Sequence, residues 1–206
     1  DRRERNLSLY AVVPDYHVTL AGMLERAAAE LKALSPGHIF LPFADNSPIC
    51  EVEAACRAGL GVRGRHNLLI TPRFGSFVFI GELLTTLPFE DKERAGSGCD
   101  GCGLCAAACP TSALNGNGGF ERGRCLSYLT QKKGGLSPEE ESALKKASCV
   151  WGCDLCQLAC PRNKGVEMAS SCGQALWSLK RESLEGLSSE QFRKAYGGRA
   201  FAWRGK

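Results

Sequence analysis

The first ninety residues alternate between two spacings of apolar side chains, one typical of helices and one of short strands. Apolar residues recur every three or four positions across residues 19–34, which predicts a helix ended by Pro36-Gly37. A second helix is predicted at residues 49–58 and is closed by Gly59. Short apolar runs predict strands at residues 10–13, 39–43, 67–70 and 77–80. The strand at 39–43 is expected to be buried. This alternation indicates an α/β region.

The pattern changes near Lys92, beyond which glycine, cysteine and asparagine are frequent. Ser137 precedes Pro138, and Glu140 stands at the third helical position, a capping box that predicts the start of a helix. A surface helix is predicted at residues 188–196. The predicted fold class is α+β, with parts at residues 1–92 (α/β), 93–165 (cysteine-rich) and 166–206 (a short, basic helical tail).

Composition limits the classes of protein that this chain can belong to. Its 206 residues are 44% apolar and 23% charged, which suits a globular chain with a core and is not typical of disorder. The longest apolar stretches, such as residues 77–84, are much shorter than a membrane span, so no membrane segment is expected. Free thiols suit a reducing compartment, and the expected location is the cytoplasm.

Twelve cysteines are present, and they are grouped rather than spread along the chain. Neighbours two residues apart are poor disulfide partners but good joint ligands of one metal centre. The first group reads Cys99-x-x-Cys102-x-x-Cys105-x-x-x-Cys109-Pro110 and matches the bacterial ferredoxin pattern at every position. In two-cluster ferredoxins the fourth cysteine of this run ligates the other cluster. The spacing therefore predicts two 4Fe-4S clusters rather than zinc or disulfides.

The second group, Cys153-x-x-Cys156-x-x-x-Cys160, is one cysteine short, so an eighth ligand is needed. Cys125 is the best candidate because it lies between the groups, and Cys149 is the rival. The crossing rule then gives two ligand sets: Cys99, Cys102, Cys105 and Cys160, and Cys109, Cys125, Cys153 and Cys156.

Charge gives little indication of a partner. The formal charge of +4 treats the cysteines as neutral. Two clusters of about −2 each would bring the total near zero. Three cysteines fit no cluster pattern and are expected to be small buried apolar residues, namely Cys50, Cys56 and Cys172.

Several polar motifs have an ordinary structural interpretation. The glycine motif at residues 59–64 follows an apparent helix and precedes a strand, so it is interpreted as a helix end and turn rather than a phosphate site. His17 and His66 sit beside polar neighbours and are interpreted as satisfied side chains. Asp45 follows an apolar run, and the residues alone favour a turn or N-cap role over that of a general acid.

Six motifs, taken together, resemble one family across nearly the whole chain. They are Asp15-Tyr16-His17, Asp45-x-x-Pro48, Ala58-Gly-Leu-Gly61-x-x-Gly64-x-x-x-Leu68-Leu-Ile70, Gly75-Ser76-x-x-Phe79-Ile-Gly-Glu82-Leu, Cys125-Leu-Ser-Tyr-Leu-Thr130 and Gly152-Cys-Asp-Leu-Cys-Gln157-x-x-Cys160-Pro161-x-Asn163. This combination is similar to that of the epoxyqueuosine reductases, which complete queuosine synthesis in tRNA. By this resemblance the chain is shortened at both ends relative to the family.

The resemblance implies an oxidoreductase with cobalamin and two 4Fe-4S clusters, acting on epoxyqueuosine in a tRNA anticodon loop. It implies that the N-terminal α/β domain binds cobalamin, that residues 93–165 form a ferredoxin-like two-cluster domain, and that Cys125 is a cluster ligand. It makes Asp45 the proton donor and implies an external electron donor of flavodoxin or ferredoxin type. The residues implied to line the cobalamin are Tyr16, Asp45, Leu69, Ile80, Ser127 and Asp154.

Two other functions share parts of this pattern. A corrinoid reductase of the reductive dehalogenase type would use the same cofactors, but those enzymes carry a twin-arginine signal followed by an apolar region, and no apolar region follows Arg2 and Arg3 in this sequence. A two-cluster ferredoxin would only relay electrons, and it has no need of the α/β region.

Overall fold

The computed structural model describes residues 6–45, 48–90, 99–166, 176 and 178–202, and it is a mixed helix-and-sheet fold. The α-helices in these ranges are α1 (Tyr16–Leu34), α2 (Glu51–Arg57), α3 (Leu104–Ala107), α4 (Leu126–Leu129), α5 (Pro138–Ala147), α6 (Leu155–Leu158) and α7 (Ser189–Tyr196). The strands are β1 (Phe40–Phe43), β2 (Val62–Arg63), β3 (Leu69–Ile70) and β4 (Glu82–Thr85). The strands form two antiparallel pairs, β1 with β4 and β2 with β3.

Helix α1 lies against the β1–β4 ribbon. It begins earlier than predicted because the Asp15 side chain accepts a hydrogen bond from His17 N–H at 3.0 Å and so caps the helix. In the ribbon, Phe40 pairs with Thr85 and Phe43 with Glu82. The strand predicted at 39–43 is confirmed, but its burial is not, since the middle of β1 is exposed.

The strand predicted at residues 77–80 is wrong. That segment forms no strand, and the strand that pairs with β1 follows it as β4. The segment instead makes a side-chain contact with α1, since the Phe79 ring stacks on Tyr16 with ring centroids 4.0 Å apart. An apolar run alone cannot distinguish these two uses.

The glycine motif after α2 forms a helix end and a turn, as predicted. Gly59 has a φ of 74°, its N–H bonds Cys56 O, and Leu60 N–H bonds Ala55 O, which is a Schellman ending. A Cβ on Gly61 would collide with the Ile70 carbonyl of β3. Gly59 therefore allows the helix to end, and Gly61 allows the close approach of the chain to β3.

The main core joins segments that are far apart in sequence. The strand predicted at 10–13 is wrong: Leu9–Ala11 is a 3-10 turn, which places Ala11 and Val12 in the core. The buried residues that pack together are Leu7, Ala11, Val12, Trp151, Leu179, Phe192, Ala200, Phe201 and Ala202. The predicted C-terminal helix is confirmed as α7, but it is not only a surface helix because Phe192 is 5% exposed.

The predicted capping box at α5 is confirmed. Ser137 Oγ accepts from Glu140 N–H at 3.3 Å, and the Glu140 carboxylate accepts from Ser137 N–H at 2.8 Å. Lys132 adds an ion pair to Glu140 at 2.8 Å. The boundary predicted near Lys92 lies outside the described residues.

Candidate metal centre

The two cysteine groups form loops of the same local design. In each loop a glycine with positive φ directly precedes a cysteine, Gly101 at 68° before Cys102 and Gly152 at 71° before Cys153, and a side chain at either glycine would strain the backbone. Each then enters a one-turn helix that carries a cysteine, α3 in the first loop and α6 in the second. The two short helices pack against each other. The fold therefore brings the two cysteine groups face to face.

Four cysteines line one cavity of about 560 Å³ beside these helices: Cys109, Cys125, Cys153 and Cys156. The volume lies in the range of ordinary small-molecule sites, about 300–1,000 Å³. The four residues come from three separate stretches of sequence, and they are the predicted second ligand set. Cys149 is not among the lining residues; its thiol donates to Ala147 O at 3.6 Å.

Burial acts strongly on these thiols. It raises the pKa of Cys156 to about 12, with further contributions from Cys153 and Cys125. A hydrogen bond with Cys149 and burial raise the pKa of the Cys153 thiol. Thiols of this kind stay protonated unless a metal displaces the proton, so metal binding here must release protons.

The other predicted ligand set lies around the first loop and the end of the second. Cys105 and Cys160 are buried, Cys99 is half-buried and Cys102 is exposed. Burial raises the pKa of Cys105, and the neighbouring Cys99 and Cys102 raise it further. Among the described residues, no group of three or more His, Cys, Asp or Glu side chains is placed to hold a single metal ion.

A cation is fixed beside the first loop. Arg162 pairs with Asp100 through two contacts, Nη2–Oδ1 at 2.6 Å and Nε–Oδ2 at 2.9 Å. The guanidinium also interacts electrostatically with Cys160 and Cys99. A positive group in this position favours the anionic form of bound sulfur ligands.

Asp45 lies just after β1 in a left-handed conformation with a φ of 64°. Its Oδ2 atom is 3.2 Å from His17 Nε2, and Asp15 Oδ1 is 2.6 Å from His17 Nδ1. Burial lowers the pKa of His17, but the hydrogen bonds to Asp15 and Asp45 outweigh it and raise the pKa above its ordinary value. The sequence analysis missed this pairing, although the Asp15-x-His17 spacing at a helix start was its local signal.

Aromatic rings connect the cysteine cavity to Asp45. Tyr10 lines the cavity and contacts Tyr16 edge to face, with ring centroids 6.3 Å apart. Tyr16 stacks on Phe79 with ring planes 10° apart. Burial and a hydrogen bond with Asp45 raise the pKa of the Tyr16 hydroxyl. The two parts of the site are thus neighbours.

The residues expected to line the cobalamin occupy different places. Ser127 and Asp154 line the cavity, and Asp154 accepts hydrogen bonds from Ser8 Oγ at 2.5 Å and from Leu9 N–H at 2.7 Å. Leu69 is buried in β3, and Ile80 is half-buried just before β4. Neither of these two belongs to the residues that line the cavity.

The interpretation of His66 as a satisfied side chain is wrong, because its Nε2 atom is buried without a hydrogen-bond partner among the described residues. His66 is 5% exposed and lines the cavity with the four cysteines, a site role that the sequence did not indicate. No sequence signal links it to cysteines more than forty residues away, because only the tertiary fold brings them together. The expected burial of Cys50 is wrong because it is exposed at the start of α2; Cys56 is half-buried, and Cys172 lies outside the described residues.

Residues 98–163 match a family model for a 4Fe-4S double cluster binding domain. With the paired loops, this match assigns residues 98–163 to the class of double 4Fe-4S cluster binding domains. Every helix in the described ranges is too short or too polar to span a lipid bilayer.

Comparison with known proteins identifies a narrower group. The epoxyqueuosine reductase of Lactococcus garvieae is 35% identical over 198 residues, covering 93% of this chain and 55% of that protein. The structure of an epoxyqueuosine reductase from Streptococcus thermophilus matches with a TM-score of 0.89 and 32% identity, over 98% of this chain and 54% of that one. A crystal structure of the enzyme with an epoxyqueuosine-modified tRNA-Tyr stem loop matches with a TM-score of 0.89 and 29% identity, over 98% and 54% of the two chains.

The chain spans about half the length of the curated relatives it matches. Across that half, its sequence and its fold are similar to those of the epoxyqueuosine reductases.

Proposed function

We propose that this chain reduces epoxyqueuosine to queuosine in a tRNA anticodon loop, using two 4Fe-4S clusters and cobalamin. The observation that carries the proposal is the cavity in which Cys109, Cys125, Cys153 and Cys156 converge, beside the aromatic rings that lead to Asp45. The similarly folded reductases support the reaction, and the relative solved with a modified stem loop supports tRNA as the substrate.

The ligand sets follow the two loops. One cluster is held by Cys109, Cys125, Cys153 and Cys156, which is supported by their common cavity. The other is held by Cys99, Cys102, Cys105 and Cys160. The electrostatic effects of Cys99 and Cys102 on Cys105, and of Arg162 on Cys160 and Cys99, support this second set.

Cobalamin would lie across the surface between the cavity and Asp45. The proposed contacts are Tyr16, Asp45, Leu69, Ile80, Ser127 and Asp154. The Tyr16–Phe79 stack supports this position, because Phe79 remains 46% exposed and presents an apolar ring to a large flat ligand. Asp154 would be held in place for this contact by Ser8 and Leu9.

Removal of the epoxide oxygen as water takes two electrons and two protons; when bound, the clusters and cobalamin would supply the two electrons, one at a time. The chain itself supplies a proton to the departing oxygen. Asp45 suits this role because its side chain is 60% exposed and can meet a substrate. His17 Nε2, at 3.2 Å from Asp45 Oδ2, can return a proton to the carboxylate after each turnover.

Partners and location complete the proposal. The electrons come from an external protein of flavodoxin or ferredoxin type, and the reaction takes place in the cytoplasm, where a reducing environment keeps the cysteines available for iron.

The test is anaerobic reconstitution of the 206-residue chain, followed by an assay with an epoxyqueuosine stem loop and a strong reductant. We expect about eight iron atoms per chain, bound cobalt after cobalamin is added, and formation of queuosine. A stem loop carrying queuosine from the start is the matched control. About four iron atoms, or a chain that ignores cobalamin, would overturn the proposal.

A further inference from the structure

A buried nitrogen of His66 has no protein partner among the residues that the structure describes. The ring is 5% exposed, and its Nδ1 atom accepts a hydrogen bond from Leu68 N–H at 3.2 Å. A neutral imidazole with an acceptor at Nδ1 carries its proton on Nε2. The Nε2 atom is buried without a hydrogen-bond partner. His66 therefore presents an unused N–H donor.

The opposite edge of the ring is already occupied. The Nδ1 and Cε1 atoms face the turn at Gly64, where an added Cβ would lie 2.7 Å from Cε1 and 3.0 Å from Nδ1. His66 is also one of the residues that line the cavity in which Cys109, Cys125, Cys153 and Cys156 converge. A buried donor of this kind is costly unless the cavity contains an acceptor.

We propose that His66 Nε2–H donates a hydrogen bond to a sulfur atom of the cluster held by Cys109, Cys125, Cys153 and Cys156, and thereby raises the reduction potential of that cluster. This inference rests on the proposed function, because it requires the cluster in this cavity. In this role His66 acts on the charge of the cluster through a hydrogen bond and is not a ligand of iron.

The direction of the effect follows from charge. A reduced cluster carries one more negative charge than an oxidised one, so a donor to its sulfur stabilises the reduced form more than the oxidised form. Among the described residues, His66 is the histidine that lines this cavity, while the other proposed ligand set has Arg162 nearby. Different side chains therefore set the reduction potentials of the two clusters.

The first experiment compares His66→Leu with His66→Gln in the reconstituted chain. Leucine removes the donor, whereas the glutamine amide can place an N–H near the position of Nε2. We expect the midpoint potential of one of the two clusters to fall in His66→Leu and to stay closer to that of the unaltered protein in His66→Gln. His38→Leu is the matched control, because His38 does not line the cavity. An EPR-monitored redox titration gives the potentials, and equal potentials in all four proteins would overturn the inference.

A second measurement decides the matter if His66→Leu does not assemble. In the unaltered chain labelled with 15N-histidine, the reduced cluster should show a weak hyperfine coupling to an imidazole nitrogen, and His66→Gln should lack it. No coupling would contradict the hydrogen bond, and a strong coupling typical of direct ligation to iron would also overturn it. Iron content separates the two proposals: about four iron atoms per chain refute the proposed function, whereas about eight with no coupling refute only the role of His66.

Discussion

Ser76 and Asn163 exchange two hydrogen bonds although 87 residues separate them. Ser76 N–H donates to Asn163 Oδ1 at 2.7 Å, and Asn163 Nδ2 donates to Ser76 Oγ at 2.8 Å. Asn163 Nδ2 also donates to Gln157 O at 2.7 Å. Gly75 allows this approach, because a Cβ there would collide with Asn163 Oδ1. The pair ties the segment before Phe79 to the end of the second cysteine loop.

Asn163→Ala should destabilise the reconstituted chain. Loss of the amide leaves the buried Ser76 N–H without its acceptor, which costs about 1–3 kcal/mol in the free energy of unfolding. An anaerobic urea titration measures the change, and Asn117→Ala, at an exposed loop position, is the control. Equal midpoints for the two variants would show that this pair does not stabilise the fold.

Cys125→Ser should lose one cluster, whereas Cys149→Ser should keep both. Cys125 lines the cavity with three other proposed ligands, whereas Cys149 does not line it, and its thiol contacts Ala147 O and Cys153. Iron and sulfide analysis after anaerobic reconstitution should therefore give about four irons per chain for the first variant and about eight for the second. The reverse result would make Cys149 the eighth ligand.

Asp45→Asn should retain its clusters and cobalamin but lose activity. An amide at this position cannot donate the proton, and loss of a general acid costs about 10²- to 10⁴-fold in rate. The assay is queuosine formation on a modified stem loop, with iron and cobalt content measured in the same sample. Glu53→Gln, an exposed carboxylate on α2, is the matched control. Full activity of Asp45→Asn would remove Asp45 from the mechanism.

Asp15→Asn should lower the pKa of His17. Asparagine caps a helix about as well as aspartate does, so α1 should be kept while the charge beside the imidazole is removed. Because the pKa of His17 is raised in the folded chain, its stabilising effect is full below the unfolded pKa and is lost as pH rises through the folded pKa. The variant should therefore lose stability on the acid side and approach the unaltered protein at higher pH. An NMR titration of the His17 ring measures the pKa, and an unchanged titration would contradict the pairing with Asp15.

Local sequence patterns correctly predicted the elements that depend on interactions between residues close together in the chain. The capping box at Ser137 and the helix end at Gly59 are both confirmed, because each depends on hydrogen bonds within a few residues. The strands predicted at 10–13 and 77–80 are wrong, because an apolar run shows that a segment is buried or in contact but not whether it pairs with a strand.

The sequence by itself determined the kind of metal centre. Cysteine spacing is a local property, since three thiolates on one tight loop can cap one cluster, and a family model for double clusters matches the same region. The tertiary structure decided which separate stretches share a cavity. It brought Cys125 to the second loop, His66 to the same cavity and His17 to Asp45. Those contacts depend on burial and packing between segments that are remote in sequence, so the spacing of residues along the chain does not predict them.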